Sequence, residues 1–194
     1  SLVDGVHQQP RTNVDIIVER NRITAIEPHK PGRKADKFID ASRLTVMPGL
    51  IDAHVHFAKE FGSSFGKLLL AYGFTTVRSP GSIAADAIEE REAAAAGLRP
   101  SHRIFTTGYM LEGERGFWDF STPVADIAQA DRELERARRL KFDLLKTYTH
   151  NSEPVRQHLI DGAHRLGIPV SSHEIYPAAL FGIVAVVWRF LSGV

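Results

Sequence analysis

Val46-Met47-Pro48-Gly49-Leu50-Ile51-Asp52-Ala53-His54-Val55-His56-Phe57 brings together a backbone break, an apolar run and a His-x-His pair. Pro48-Gly49 punctuates the chain, and Leu50 to His56 reads as a strand. Side chains alternate along a strand. His54 and His56 are therefore expected on one face, with Ala53, Val55 and Phe57 on the other. Two imidazoles aimed the same way at a strand end can hold one divalent cation. A lone His-x-His also arises by chance in surface loops, so its surroundings have to decide.

Downstream, strand and helix signals alternate. Phe65 to Tyr72 is apolar at helical spacing and stops at Gly73. Thr75 to Arg78 is a short β-branched run closed by Ser79-Pro80-Gly81, and Ile83 to Ala96 is an alanine- and glutamate-rich helix stopped by Gly97 and Pro100. Arg103 to Thr107 is the third strand. Tyr109 to Thr122 reads as a long loop; its Tyr109, Glu112, Arg115 and Trp118 can shape a pocket or simply face solvent. Val124, Ile127, Ala130, Leu134, Ala137 and Leu140 mark an amphipathic helix whose charge run, Asp131 to Lys141, is a solvated face. Asp143 to Tyr148 is the fourth strand. Val155, Leu159, Ala163 and Leu166 stripe a helix ended by Gly167, and Ile168 to His173 is the fifth strand.

Such alternation predicts an α/β fold with a parallel sheet, either doubly wound or closed as a (β/α)8 barrel. No G-x-G-x-x-G or Walker-type loop follows any strand, which argues against a nucleotide fold. Polar residues gather at the carboxyl ends of strands, where barrel enzymes keep their chemistry, and this favours the barrel. Upstream, Val14–Glu19, Ile23–Glu27, Phe38–Asp40 and Leu44–Met47 read as four short strands. The expected domains are thus a small antiparallel β unit over 1–47 and a βα-repeat unit over 48–194.

The strand ends offer His54 and His56 on the first, Lys146 on the fourth and His173 on the fifth. A lysine flanked by Leu144, Leu145 and Tyr148 in a buried strand is costly unless paired or modified. Taken singly, Lys146 could snorkel to the surface and His173 could be a core histidine. Their order on successive βα units favours a metal site. Tyr148, His150 and Glu174 lie close enough to these positions to contact a substrate or orient a ligand. His7, His29 and His102 are expected in exposed loops.

The run PGLIDAHVH resembles the opening signature of the amidohydrolase superfamily. From about Val14 to Glu174 the chain is similar to its imidazolonepropionase and prolidase-like branch. The resemblance implies a β-sandwich segment over 1–47 and the first five or so units of a TIM-like barrel after it. It also implies a divalent-metal site of two ions, zinc before manganese, iron or cobalt. His54 and His56 would bind one ion and His173 the other, with a carboxylated Lys146 bridging them. The implied activity is hydrolysis of an amide, cyclic amide or dipeptide by a metal-activated water. A deaminase or a phosphotriester hydrolase is the rival within the superfamily. Lys146 favours a binuclear site over a mononuclear deaminase.

The resemblance also has gaps. No His follows His173 and no Asp follows Asp161, so the family's base aspartate has no counterpart here and the catalytic base is unassigned. With 194 residues against the roughly 250 of a full barrel, the chain is expected to be a truncated form. A catalytically inactive fragment that binds metal or self-associates is the rival from outside the enzymes. Open sheet edges would favour homo-oligomers or a complementing chain.

At 43% hydrophobic and 24% charged residues the composition is that of a globular protein. A formal net charge of +1 gives no reason to expect nucleic acid or a membrane surface as partner. The absence of cysteine excludes disulfides and thiolate ligands. No signal peptide is visible, which favours the cytoplasm, although a chain starting at Ser1 is processed or cut. The apolar run Ala178–Trp188 is shorter than the about 20 residues of a membrane span and is expected to be core.

Overall fold

A computed structural model of the chain describes residues 1–56 and 64–173. It divides into two compact units, Ser1–Gly49 and the chain from Leu50 onward.

In the first unit, β-branched residues build an antiparallel hairpin of β1 (Val14–Glu19) and β2 (Arg22–Pro28), with a bulge between Ile17 and Val18. Arg20 makes the turn at φ 57°. Asp15 anchors the loop after β2 by accepting from His29 Nδ1 at 2.7 Å, Lys30 N at 3.1 Å and Arg33 Nε at 3.1 Å. The strands expected at Phe38–Asp40 and Leu44–Met47 do not form. Asp40 accepts from Ser42 N at 2.9 Å, a local turn that competes with an extended ladder. Val46 makes only an isolated bridge to Leu2. The four-stranded antiparallel reading is therefore corrected to one hairpin.

The second unit alternates as the periodicity predicts. Its elements are β3 (Leu50–Asp52), α1 (Ser64–Ala71), β4 (Phe74–Ser79), α2 (Ala84–Ala95), β5 (Arg103–Thr106), β6 (Met110–Glu112), β7 (Ser121–Pro123), α3 (Ile127–Arg139), β8 (Leu145–Thr147), α4 (Glu153–Arg165) and β9 (Val170–Ser172). Every strand pair here is parallel, in the orders β3-β4-β5 and β7-β6-β8-β9. The fold is α/β with parallel sheets. Because β5 runs into β6 through Thr107–Tyr109, the two sheets share that stretch of chain. Asp143 N donates to Thr106 O and Tyr148 N to Leu111 O, which carries the β8 segment along both halves.

Two expectations are corrected here. The first strand ends at Asp52, not His56, because Asp52 Oδ1 accepts from His54 N at 3.0 Å and turns the chain out of the ladder. The Tyr109–Thr122 loop contains β6 and β7; Met110, Leu111 and Glu112 are all buried, and Met110 N donates to Phe120 O.

The helices pack through the apolar stripes read from the sequence. Leu134, Ala137, Val155, Leu159 and Ala163 share one core with Leu111, Val124, Leu145 and Ile168. Burying a side chain such as Leu159 contributes about 1.5–3 kcal/mol. Gly162 allows the closest approach of α3 and α4, since a Cβ there would lie 2.2 Å from Leu134 Cδ1. Asp126 caps α3 by accepting from Gln129 N at 2.7 Å. The charge run of α3 faces solvent except at Glu133, which is buried beside Arg136 at 2.9 Å; burial pushes its carboxyl up.

His102 is another correction. It is 1% exposed rather than in a solvated loop. It sits edge-on to Phe65, with ring centroids 6.3 Å apart. Gly66 lets α1 close over this segment, because a Cβ there would meet Ser101 Oγ at 2.2 Å. The apolar run Ala178–Trp188 lies outside the described residues. Among the described residues no helix is long and apolar enough to cross a membrane.

Candidate metal centre

His54 and His56 follow the carboxyl end of β3. They are held there by two bonds to β4: Val55 N donates to Arg78 O at 3.0 Å, and Arg78 Nε donates to Ala53 O at 2.7 Å. The Nε2 atoms of the two rings stand 3.2 Å apart, with ring centroids 5.1 Å apart and planes at 70°. The histidines meet as expected, although by a turn and not by strand alternation.

The Nδ1 of His56 lies 2.6 Å from the Gly81 carbonyl oxygen. A carbonyl only accepts, so Nδ1 carries the proton and Nε2 keeps its lone pair. The Nε2–Nε2 contact is an N–H···N bond when His54 is protonated at Nε2, and a two-nitrogen ligand pair when it is protonated at Nδ1. Two nitrogens about 2.0–2.1 Å from a tetrahedral zinc are about 3.3 Å apart, so the observed spacing fits one cation. Partial burial, followed by the positive charges of His56, Lys146 and Arg78, holds His54 below the ordinary imidazole range. A neutral ring is the form that ligates.

Lys146 lies in β8, 4% exposed, with its Nζ 5.9 Å from the centre of the Tyr148 ring. His173 directly follows β9, donating from its backbone N to Thr147 O at 3.2 Å. Its ring meets Tyr148 at 4.8 Å. Lys146, Tyr148 and His173 thus form one group. Glu174 lies outside the described residues. Among the described residues no three His, Asp or Glu side chains converge as a ready cation cage.

His150 belongs to a neighbouring cavity of about 530 Å³, which Glu112, Arg115, Phe117 and Ser152 also line. Tyr109 instead lies under the Arg136 guanidinium, 5.9 Å from it, beside the helical core. Glu112 is fully buried. Its carboxylate accepts from Phe117 N at 2.7 Å and Thr149 Oγ1 at 3.0 Å, and His150 Nδ1 lies 3.9 Å away. Sequence reading missed the Gly81 carbonyl and Phe120, whose ring lies 5.3 Å from His56. The Ser79-Pro80-Gly81 turn at the end of β4 was the only available signal for the first.

No family model matches the chain. It is 41% identical over 71 residues to a dihydroorotase from Clostridioides difficile, covering 34% of this chain and 17% of that one. It is 49% identical over 45 residues to an allantoinase from Solibacter usitatus, covering 23% of this chain and 9% of that one. The chain therefore spans a small part of these relatives. Among solved structures, a prolidase from Bifidobacterium longum, itself described as putative, superposes with a TM-score of 0.69 at 20% identity, over 80% of this chain and 42% of that one. A Xaa-Pro dipeptidase with bound methionine gives 0.69 at 22% identity, over 89% and 54%. These structural likenesses speak for the fold. The two sequence matches and this shared fold point the same way, to similarity with part of an amidohydrolase-superfamily protein.

Proposed function

We propose that the chain carries the metal-binding part of a hydrolase of carbon–nitrogen bonds, acting on an amide, cyclic amide or dipeptide. The carrying observation is the 3.2 Å approach of the His54 and His56 Nε2 atoms, with the His56 tautomer fixed by Gly81 O. The named relatives, dihydroorotase, allantoinase and prolidase, are hydrolases of such bonds and support the reaction class.

In this reading His54 and His56 hold one divalent cation, zinc by preference. Lys146 and His173 supply ligands toward a second, with Lys146 as its carbamate. Bound metal would contribute Lewis acidity toward a carbonyl oxygen and would acidify water. The chain's own residues position and select: Arg78 fixes the His54 turn, Gly81 orients His56, and Tyr148 packs between Lys146 and His173. We further place these elements in a TIM-like barrel of which β3, β4, β5–β6, β8 and β9 are the first five strands. The order of parallel strands supports that placement.

The test is hydrolysis of dihydroorotate, allantoin and X-Pro dipeptides by the purified chain, with zinc or manganese and after chelation. Cation-dependent turnover that disappears in His54→Ala/His56→Ala is expected. Stoichiometric cation binding without turnover of any amide would favour the alternative, a chain that binds metal and does not catalyse.

A further inference from the structure

The loop between β6 and β7 carries three aromatic rings in a row. Phe117 meets Trp118 edge-on at 5.0 Å, Trp118 stacks on Phe120 at 5.8 Å with planes 12° apart, and Phe120 meets His56 at 5.3 Å. Rings that serve only a core are covered, yet Phe117 is 75% and Trp118 46% exposed. Exposed aromatic surface held in order marks a recognition site.

The row is preorganised. The buried Glu112 carboxylate takes the backbone N–H of Phe117 at 2.7 Å and the hydroxyl of Thr149 at 3.0 Å, pinning the loop to the segment after β8. Loops fixed before binding lose less entropy when a ligand arrives. Beside the row, Phe117 also lines the cavity of about 530 Å³, a volume suited to a small organic group. At its other end the row reaches the imidazole proposed as a ligand.

We infer that Trp118 and Phe120 are the specificity-determining residues of this site, and that the substrate carries a planar aromatic group next to the scissile amide. This rests on the hydrolase reading: the ring lies along the aromatic row while the amide reaches toward His56. Phe120, adjoining His56, guides the amide end; Trp118, further out, selects the ring.

The test uses the full chain, chelator-treated and then zinc-loaded, with acetanilide and its saturated counterpart N-cyclohexylacetamide as probes. Tryptophan fluorescence and equilibrium dialysis read binding. Acetanilide is expected to bind roughly three- to tenfold more tightly than the cyclohexyl amide. The preference is lost in Trp118→Ala and regained in Trp118→Phe, a pair of substitutions at a half-exposed site that leaves the core alone. Equal affinity for the two probes, or a preference unchanged in Trp118→Ala, overturns the inference. Zinc bound at His54 and His56 without any anilide preference overturns this inference and leaves the hydrolase reading standing; anilide preference without zinc binding overturns the hydrolase reading, and with it the assignment of the bound ring to a substrate.

Discussion

The Nε2 atoms of His54 and His56 lie 3.2 Å apart, and Gly81 holds the second of these rings by its carbonyl oxygen. Gly81 is itself confined. A Cβ there would stand 2.6 Å from Met110 Cγ and 3.4 Å from His56 Cε1. Gly81→Ala is therefore expected to displace Met110 and tilt His56. Zinc affinity by calorimetry should fall by roughly tenfold, the scale of lost ligand orientation. Stability should fall by about 1–3 kcal/mol from overpacking. Unchanged zinc affinity would mean that Gly81 does not set the ring.

Lys146 is buried within a strand whose three residues are all covered. Lys146→Met keeps the volume and removes the amine. The variant should fold, retain the first cation at His54 and His56, and lose any bicarbonate-dependent gain of a second. Metal analysis with and without bicarbonate reads this directly. The same stoichiometry in parent and variant would reduce Lys146 to packing.

Glu112 joins two loops by accepting from Phe117 N and Thr149 Oγ1. Glu112→Leu removes both acceptors and leaves the Phe117 N–H and the Thr149 hydroxyl without this partner. Urea unfolding should show a loss of about 1–3 kcal/mol. A double-mutant cycle with Thr149→Val should show coupling, since both changes break the same bond. Additive losses would contradict the link.

Burial holds His102 below the ordinary imidazole range, against the Gly66 backbone contact and the charge of Glu90, which pull it up. The unfolded chain takes its proton near about pH 6.5, the folded chain only at lower pH. Between those values the unfolded state binds more protons, so stability is complete above about pH 6.5 and is lost as pH falls. His102→Gln should flatten this part of the stability–pH curve relative to the parent. Parallel curves for the two proteins would contradict a buried neutral ring.

The alternation of elements was legible because its signals are local. The stripe Val155, Leu159, Ala163 needs only helical spacing, and Gly97 and Gly167 end their helices at φ 70° and 73°. What escaped was decided by partners distant in sequence. Phe38-Ile39 looks like a strand but has no partner strand among the described residues, while Met110–Glu112 looks like a loop and is paired on both sides by β7 and β8. His102 beside Pro100 carries no sign that α1 folds over it. At the site, the sequence supplied the ligand types but not the Asp52 turn that brings the two rings together. The clamp between Glu112 and Thr149, separated by 37 positions, was equally invisible.

The most direct measurement is the metal content of the purified chain beside that of His54→Ala/His56→Ala, by elemental analysis after dialysis against zinc. The account predicts at least one tightly held equivalent in the parent and its loss in the variant, with both proteins folded by circular dichroism. A folded parent that holds no zinc, or a variant that holds as much, would contradict the metal centre and leave the chain with the superfamily's fold alone.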